Sequence, residues 1–244
     1  MMIKINWFRY ASPVSFYPLA GRMLPWFIAA AAVFATVGLG IGLVMAPADY
    51  VQGDVYRIIF IHVPAAWMSM FIYVVMAMYA VLTLVLRTRL SAMMIEALAP
   101  TGALFTFIAL WTGAFWGRPT WGAWWVWDAR LTSELILLFI YFGYFALHGA
   151  LGRDTRSDRA SAVLVLVGII NVPIIYFSVV WWNTLHQGAS VSLTAAPKMA
   201  QLMLAGMLLM ALAAWMYTIA VALARVRCIM REREPRIRAL EDTA

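Results

Sequence analysis

Apolar residues run in long unbroken stretches along this chain, and charged ones are confined to the gaps between them. Six stretches contain no Asp, Glu, Lys or Arg: residues 23–48, 58–86, 97–117, 135–152, 160–197 and 199–224. A helix needs about 20 mostly apolar residues to cross roughly 30 Å of hydrocarbon, so each stretch can hold one. The fifth, 38 residues long, holds one helix followed by a polar segment from Asn183 to Pro197. The pattern predicts six helices, at 25–46, 59–86, 93–115, 131–151, 162–182 and 200–224. More than half the chain then lies in lipid, and any water-side chemistry must use short connections. They are 47–58, 116–130 and 183–199 at one end, with 87–92 and 152–161 at the other.

Composition agrees with this reading. Apolar residues make up 65% of the 244 and charged residues 12%, against roughly 45–50% and about 25% in a soluble domain. The fold expected is an all-α integral membrane protein forming one six-helix domain over residues 1–244. With six spans the termini share a side, and that side collects 14 of the 18 cations, including Lys4 and the six arginines between Arg225 and Arg238. The other side has Arg57, Arg118, Arg130 and Lys198. Such an imbalance in short loops orients the chain with both termini cytoplasmic. The net charge of +7 then belongs to a rim near anionic lipid headgroups. Nucleic-acid binding is a poor reading of it, because no soluble basic domain presents those charges. The first apolar stretch exceeds the 7–15 residues of a signal peptide core, so it is expected to be retained. The stretch 225–244 alternates Arg with Glu and is expected to be a solvated tail.

The single cysteine, Cys228, excludes an internal disulfide, and the chain has no Cys-x-x-Cys-His for covalent haem attachment. Nor does it contain a P-loop, so ATP, if used, is bound by a partner.

One outer connection stands apart. Between Trp116 and Trp127 lie five of the twelve tryptophans, with Gly and Pro among them. Trp121, Trp124, Trp125 and Asp128 follow an i, i+3, i+4, i+7 spacing, so a short helix would gather three indoles on one face. An interfacial belt needs only one or two Trp per helix end. Five in one loop suit a platform for a large, flat, apolar ligand. His62, one turn inside the second helix, and His186, in the last outer connection, share the depth of this loop. His148 lies near the opposite end of the fourth helix and is set aside. Neutral imidazole is a standard axial ligand for haem iron, and His62 and His186 could approach one porphyrin from opposite faces.

The run Trp116-Gly117-x-x-x-Trp121-Gly122-x-Trp124-Trp125-x-Trp127-Asp128, with a histidine on each side, resembles the tryptophan-rich WWD domain of haem-handling membrane proteins. Six helices and this length resemble its smallest branch, the haem exporter protein C (CcmC) family of cytochrome c maturation. Larger relatives carry more helices and histidines. The resemblance implies haem b held at the periplasmic face of a bacterial inner membrane, with His62 and His186 as axial ligands. It implies a platform of Trp116, Trp121, Trp124, Trp125, Trp127 and Asp128. It also implies delivery of haem to a membrane-anchored haem chaperone (CcmE), a small single-span subunit (CcmD), and an ABC ATPase with its permease (CcmA, CcmB). A haem-binding delivery subunit without enzymatic turnover is the reading favoured. A haem-translocating permease is disfavoured by the scarcity of polar residues at mid-membrane. A haem lyase is disfavoured by having only two outer histidines.

Other polar residues have local explanations. Asp128 can cap the fourth helix, Arg130 and Glu134 are spaced for an i, i+4 pair, and Glu96 is within reach of Arg87 or Arg89. Asn171 and Pro173 suggest a kink with an interhelical hydrogen bond; Pro64 and Pro100 read as kinks or first-turn prolines. Haem propionates are anions that need partners in a partly apolar site. Arg57 and Arg130 are expected to supply them, with Arg118 in reserve, whereas Lys198 reads as an interfacial anchor.

Overall fold

A computed structural model describes residues 9–186, 188, 191, 196–197 and 199–241, the outermost ones (9, 240 and 241) by backbone alone. Lys4 and Lys198 lie outside the described residues, as do residues 187, 189–190 and 192–195 before the last long helix. Among the described residues eight α-helices form: α1 Pro13–Leu39, α2 Ile59–Val85, α3 Arg89–Trp121, α4 Ala129–Leu151, α5 Thr155–Gly168, α6 Asn171–Trp181, α7 Gln201–Arg233 and α8 Pro235–Glu241. No strand occurs among the described residues; one isolated bridge joins Asp49 and Gly53. Six of the described segments are long and apolar enough to cross a membrane, with α5 and α6 together making the fifth. The protein is an all-α, multi-pass membrane protein.

The antiparallel pair α2 and α3 forms the centre of the bundle, with α4, α5, α6 and α7 packed around it and α1 lying along α7. Small residues such as Ala77, Ala80, Ala99 and Ala103 let these helices approach, and Tyr73 and Tyr141 fill the space between them. Each tyrosine satisfies its hydroxyl on a neighbouring backbone: Tyr73 donates to the Val165 carbonyl oxygen (3.1 Å) and Tyr141 to that of Ser69 (3.3 Å). In lipid such bonds matter, since no water competes for or replaces them.

Three expectations are corrected. The first helix begins at Pro13 rather than 25 and ends in a π-helical segment, Gly40–Met45. Its early turns stay helical because Val14, Phe16 and Tyr17 pack on Val226 and Met230, with Arg227 stacked 4.5 Å over the Tyr17 ring. In the fifth span the expected kink is present, a break between Gly168 and Asn171, and Asn171 makes the expected interhelical hydrogen bond by donating to the Ser133 carbonyl oxygen of α4 (2.9 Å). The last stretch is no solvated tail: α7 runs to Arg233, and Ile237 of α8 is 2% exposed. Glu96 pairs with Arg153 (3.1 Å) and Arg233 (3.5 Å), not with Arg87 or Arg89. Arg233 also grips Asp158 through two nitrogens (3.0 and 2.6 Å), Arg153 meets Glu232, and Arg89 meets Glu234 (3.1 Å). The arginine-rich end is therefore closed by ion pairs between α3, the α4–α5 turn, α5 and α7.

Candidate functional site

The opposite end carries the tryptophan segment. α3 continues through Trp116 to Trp121 and stops because Gly122 adopts φ +78°, a left-handed conformation that costs glycine nothing. Arg118 seals the turn by donating to the Gly122 carbonyl oxygen (2.6 Å). From irregular backbone at 123–128 the chain enters α4, capped by Asp128, whose carboxylate accepts from the Leu131 amide (2.8 Å). The expected short helix over Trp121 to Asp128 does not form. Its first residue ends one long helix and its last caps another, so the indoles divide into two groups.

The first group meets the histidines. His62 is 8% exposed on the second turn of α2, and Trp116 stands edge-on to it with ring centroids 5.6 Å apart. Trp116 is fixed from behind by donating to Gln52 Oε1 (2.7 Å). His186 brings its ring centroid to 6.2 Å from that of His62, and Trp121 stands edge-on to His186 at 6.3 Å. Two histidines 124 residues apart in the chain thus lie side by side, each flanked by one indole.

The second group faces outward. Trp125 and Trp127 contact each other at 5.4 Å, and Trp124 stands against Phe115 at 5.3 Å. Trp124 is 53% and Trp127 78% exposed. Trp125 Nε1 and Asp128 Oδ2 are buried with no hydrogen-bond partner among the described residues. Phe115 continues a ladder down α3 through Trp111 to Phe107. A shallow groove of about 260 Å³ lies there, lined by Ile58, Trp111, Thr112 and Phe115.

The cations fall differently. Arg57 donates to Asp54 (2.8 Å) and to the Gly42 carbonyl oxygen (2.6 Å). Arg130 reaches across to the Ile175 carbonyl oxygen of α6 (3.1 Å), so the helical pair expected with Glu134 gives way to an interhelical contact. Arg118 is exposed. Arg130, held by a backbone carbonyl, can turn to a stronger anionic partner, whereas Arg57 already pairs with the Asp54 carboxylate.

Behind His62, the sequence reading missed two residues. Thr112 Oγ1 lies 3.0 Å from His62 Nδ1, and Gly113 leaves the space the ring occupies. The aromatic spacing of Phe107, Trp111 and Phe115 could have drawn attention to this stretch of α3; nothing local distinguishes Thr112.

An imidazole nitrogen sits about 2 Å from a metal it ligates, with its ring centre about 1 Å further back. Two rings on opposite sides of one iron therefore have centres roughly 6 Å apart, and the pair at 6.2 Å fits. The site thus offers two imidazoles between aromatic walls with arginines nearby, and among the described residues no cluster of three metal-ligating side chains occurs.

Comparison with known proteins points the same way. The family model described as Heme exporter protein C matches residues 6–241. The chain is 53% identical over 180 residues to the Heme exporter protein C of Escherichia coli K12, covering 74% of each chain. It is 47% identical over 231 residues to that of Bradyrhizobium diazoefficiens, covering 95% of this chain and 87% of the relative. A putative cytochrome c biosynthesis ccmC-like mitochondrial protein of Marchantia polymorpha is 48% identical over 68% of each.

Proposed function

The chain belongs to the haem exporter protein C family, and from that premise we propose that it binds haem b between His62 and His186 and delivers it for cytochrome c maturation. The observation that carries this reading is the 6.2 Å separation of the two imidazoles, which suits axial ligation of one iron from both faces.

The division of labour follows from the surroundings. The histidines set the position and orientation of the porphyrin, while Trp116 and Trp121 wall the ligands from the side. Trp124, Trp125 and Trp127, on the exposed side of the segment, offer apolar area to the porphyrin edge and to the partner that receives it. Arg57 and Arg130 answer the propionates. None of these contacts is covalent, so the haem can leave intact. That is what a delivery subunit needs, and the recipient is a membrane-anchored haem chaperone. The tryptophan end faces the periplasm, since the opposite end gathers the arginines that orient membrane proteins toward the cytoplasm. An ABC-type ATPase and permease supply any energy input, and a small single-span subunit completes the assembly.

The test is to purify the protein without partners from cells making haem. Haem should co-purify with a six-coordinate low-spin spectrum and pass to the chaperone but not to apocytochrome c. Direct thioether formation on an apocytochrome would overturn the delivery reading in favour of a lyase.

A further inference from the structure

We propose that Thr112 is the positioning residue of this site, its hydroxyl holding His62 in the tautomer that presents Nε2 to a metal, while Gly113 beside it makes room for the ring. The proposal rests on the reading of His62 as a haem ligand.

Thr112 Oγ1 lies 2.6 Å from the Ile108 carbonyl oxygen and 3.0 Å from His62 Nδ1. A hydroxyl has one hydrogen to give, and a carbonyl oxygen can only accept. The Thr112 proton therefore points at Ile108, and the remaining lone pairs of Oγ1 receive the Nδ1–H of His62. A neutral imidazole carries a single N–H, so Nε2 keeps its lone pair. Metal-ligating histidines are commonly supported this way, the far nitrogen donating to an acceptor that fixes tautomer and ring orientation and raises ligand basicity.

The back-bond alone would be unremarkable. Thr83, Thr106, Thr120 and Thr218 each donate to the carbonyl four residues earlier at 2.6–2.8 Å, as threonines in helices do. What sets Thr112 apart among these is the ring nitrogen on its free side. Gly113 makes that approach possible: a Cβ there would lie 3.1 Å from His62 Cε1 and 3.6 Å from Nδ1. Trp116 closes the remaining side at 5.6 Å. The ring is thus held from behind by a hydrogen bond and on two sides by shape.

The test uses the full-length protein loaded with haem. Thr112→Val keeps the side chain's outline and removes the acceptor; Thr112→Ser keeps the acceptor. In Thr112→Val the iron midpoint potential should rise, because a less basic imidazole stabilises ferric iron less. Loss of haem to a scavenging globin should quicken by about 10–100-fold, the usual cost of removing an outer-shell partner. Thr112→Ser should restore both. If Thr112→Val matches wild type in potential and loss rate, the proposal is overturned. Should that variant fail to fold, Gly113→Ala probes the same cradle with the hydroxyl intact; it should release haem faster, and an unchanged rate overturns the assignment. A wild-type spectrum lacking two imidazole ligands would overturn the parent reading and this one together, whereas a bis-imidazole wild type with an indifferent Thr112→Val sinks this one alone.

Discussion

His148 and His62 sit at opposite ends of the same bundle, both largely screened from solvent, and they illustrate two uses of one side chain. His148 is hemmed in by other groups, although its Nε2 makes no hydrogen bond among the described residues. Its Nδ1 lies 3.2 Å from Ser157 Oγ, its Nε2 faces Glu96 at 3.6 Å, and its ring is stacked on Tyr144 at 5.6 Å. Around it Glu96, Arg153, Asp158 and Arg233 neutralise one another. Among the described residues no carboxylate pairs with His62; the ring has a hydroxyl behind it, an indole at its side and a second imidazole beyond. One end uses polar groups to fasten helices together. On the proposed function, the other holds them ready for a ligand.

The largest effect that would break this contrast lies at the arginine-rich end. The side chains of Arg233 and Asp158 are about nine-tenths buried. Arg233→Ala would leave Asp158 short of its partner and Glu96 short of one of two. Stripping one member from a buried pair costs about 3–5 kcal/mol, so the variant's unfolding temperature should drop sharply while the spectrum of its bound haem stays as in wild type. A changed spectrum with unchanged stability would mean that the two ends are not separate in function.

A smaller effect is expected from the cations near the tryptophan segment. Charge-assisted hydrogen bonds contribute about 1.5–3 kcal/mol each. The Arg57→Ala/Arg130→Ala protein should therefore bind free-acid haem at least 10-fold more weakly, yet bind propionate-esterified haem as wild type does. Equal losses for both haems in a titration would show that these arginines do not meet the propionates.

The smallest effects should separate the two groups of indoles. Trp121→Ala, beside His186, is expected to shorten haem retention several-fold, on the scale of ~0.5–1.5 kcal/mol per aromatic contact. Trp121→Phe should be milder. Trp127→Ala, at the most exposed indole of the segment, should slow transfer to the chaperone more than it weakens retention. Identical behaviour of the two alanine variants in both assays would merge the groups into one platform.

Much of this contrast is legible in the sequence, and the gaps have physical causes. Charge-free runs reveal the six spans because lipid tolerates few charges, but they say little about helix ends beyond the hydrocarbon. Hence α1 starts twelve residues early, at Pro13, held by Tyr17 and Arg227. Trp density and shared depth single out His62 and His186. The i, i+3, i+4, i+7 spacing misleads, since it cannot register that Gly122 ends one helix before Asp128 starts the next. The partners of Glu96 come from residues 153 and 233, and only tertiary packing decides among arginines so far apart. Thr112 is silent in the sequence for the same reason. Its own helix accounts for its hydroxyl proton, and only the fold brings His62 to the other side.

The pairing of His62 with His186 is the central claim, and electron paramagnetic resonance of the haem-loaded protein tests it most directly. Wild type and His148→Ala should give the same low-spin ferric signal of two imidazole ligands. His62→Ala and His186→Ala should each lose it, and added imidazole should restore it by filling the opened position. A low-spin signal unchanged in either outer-histidine variant would contradict the account.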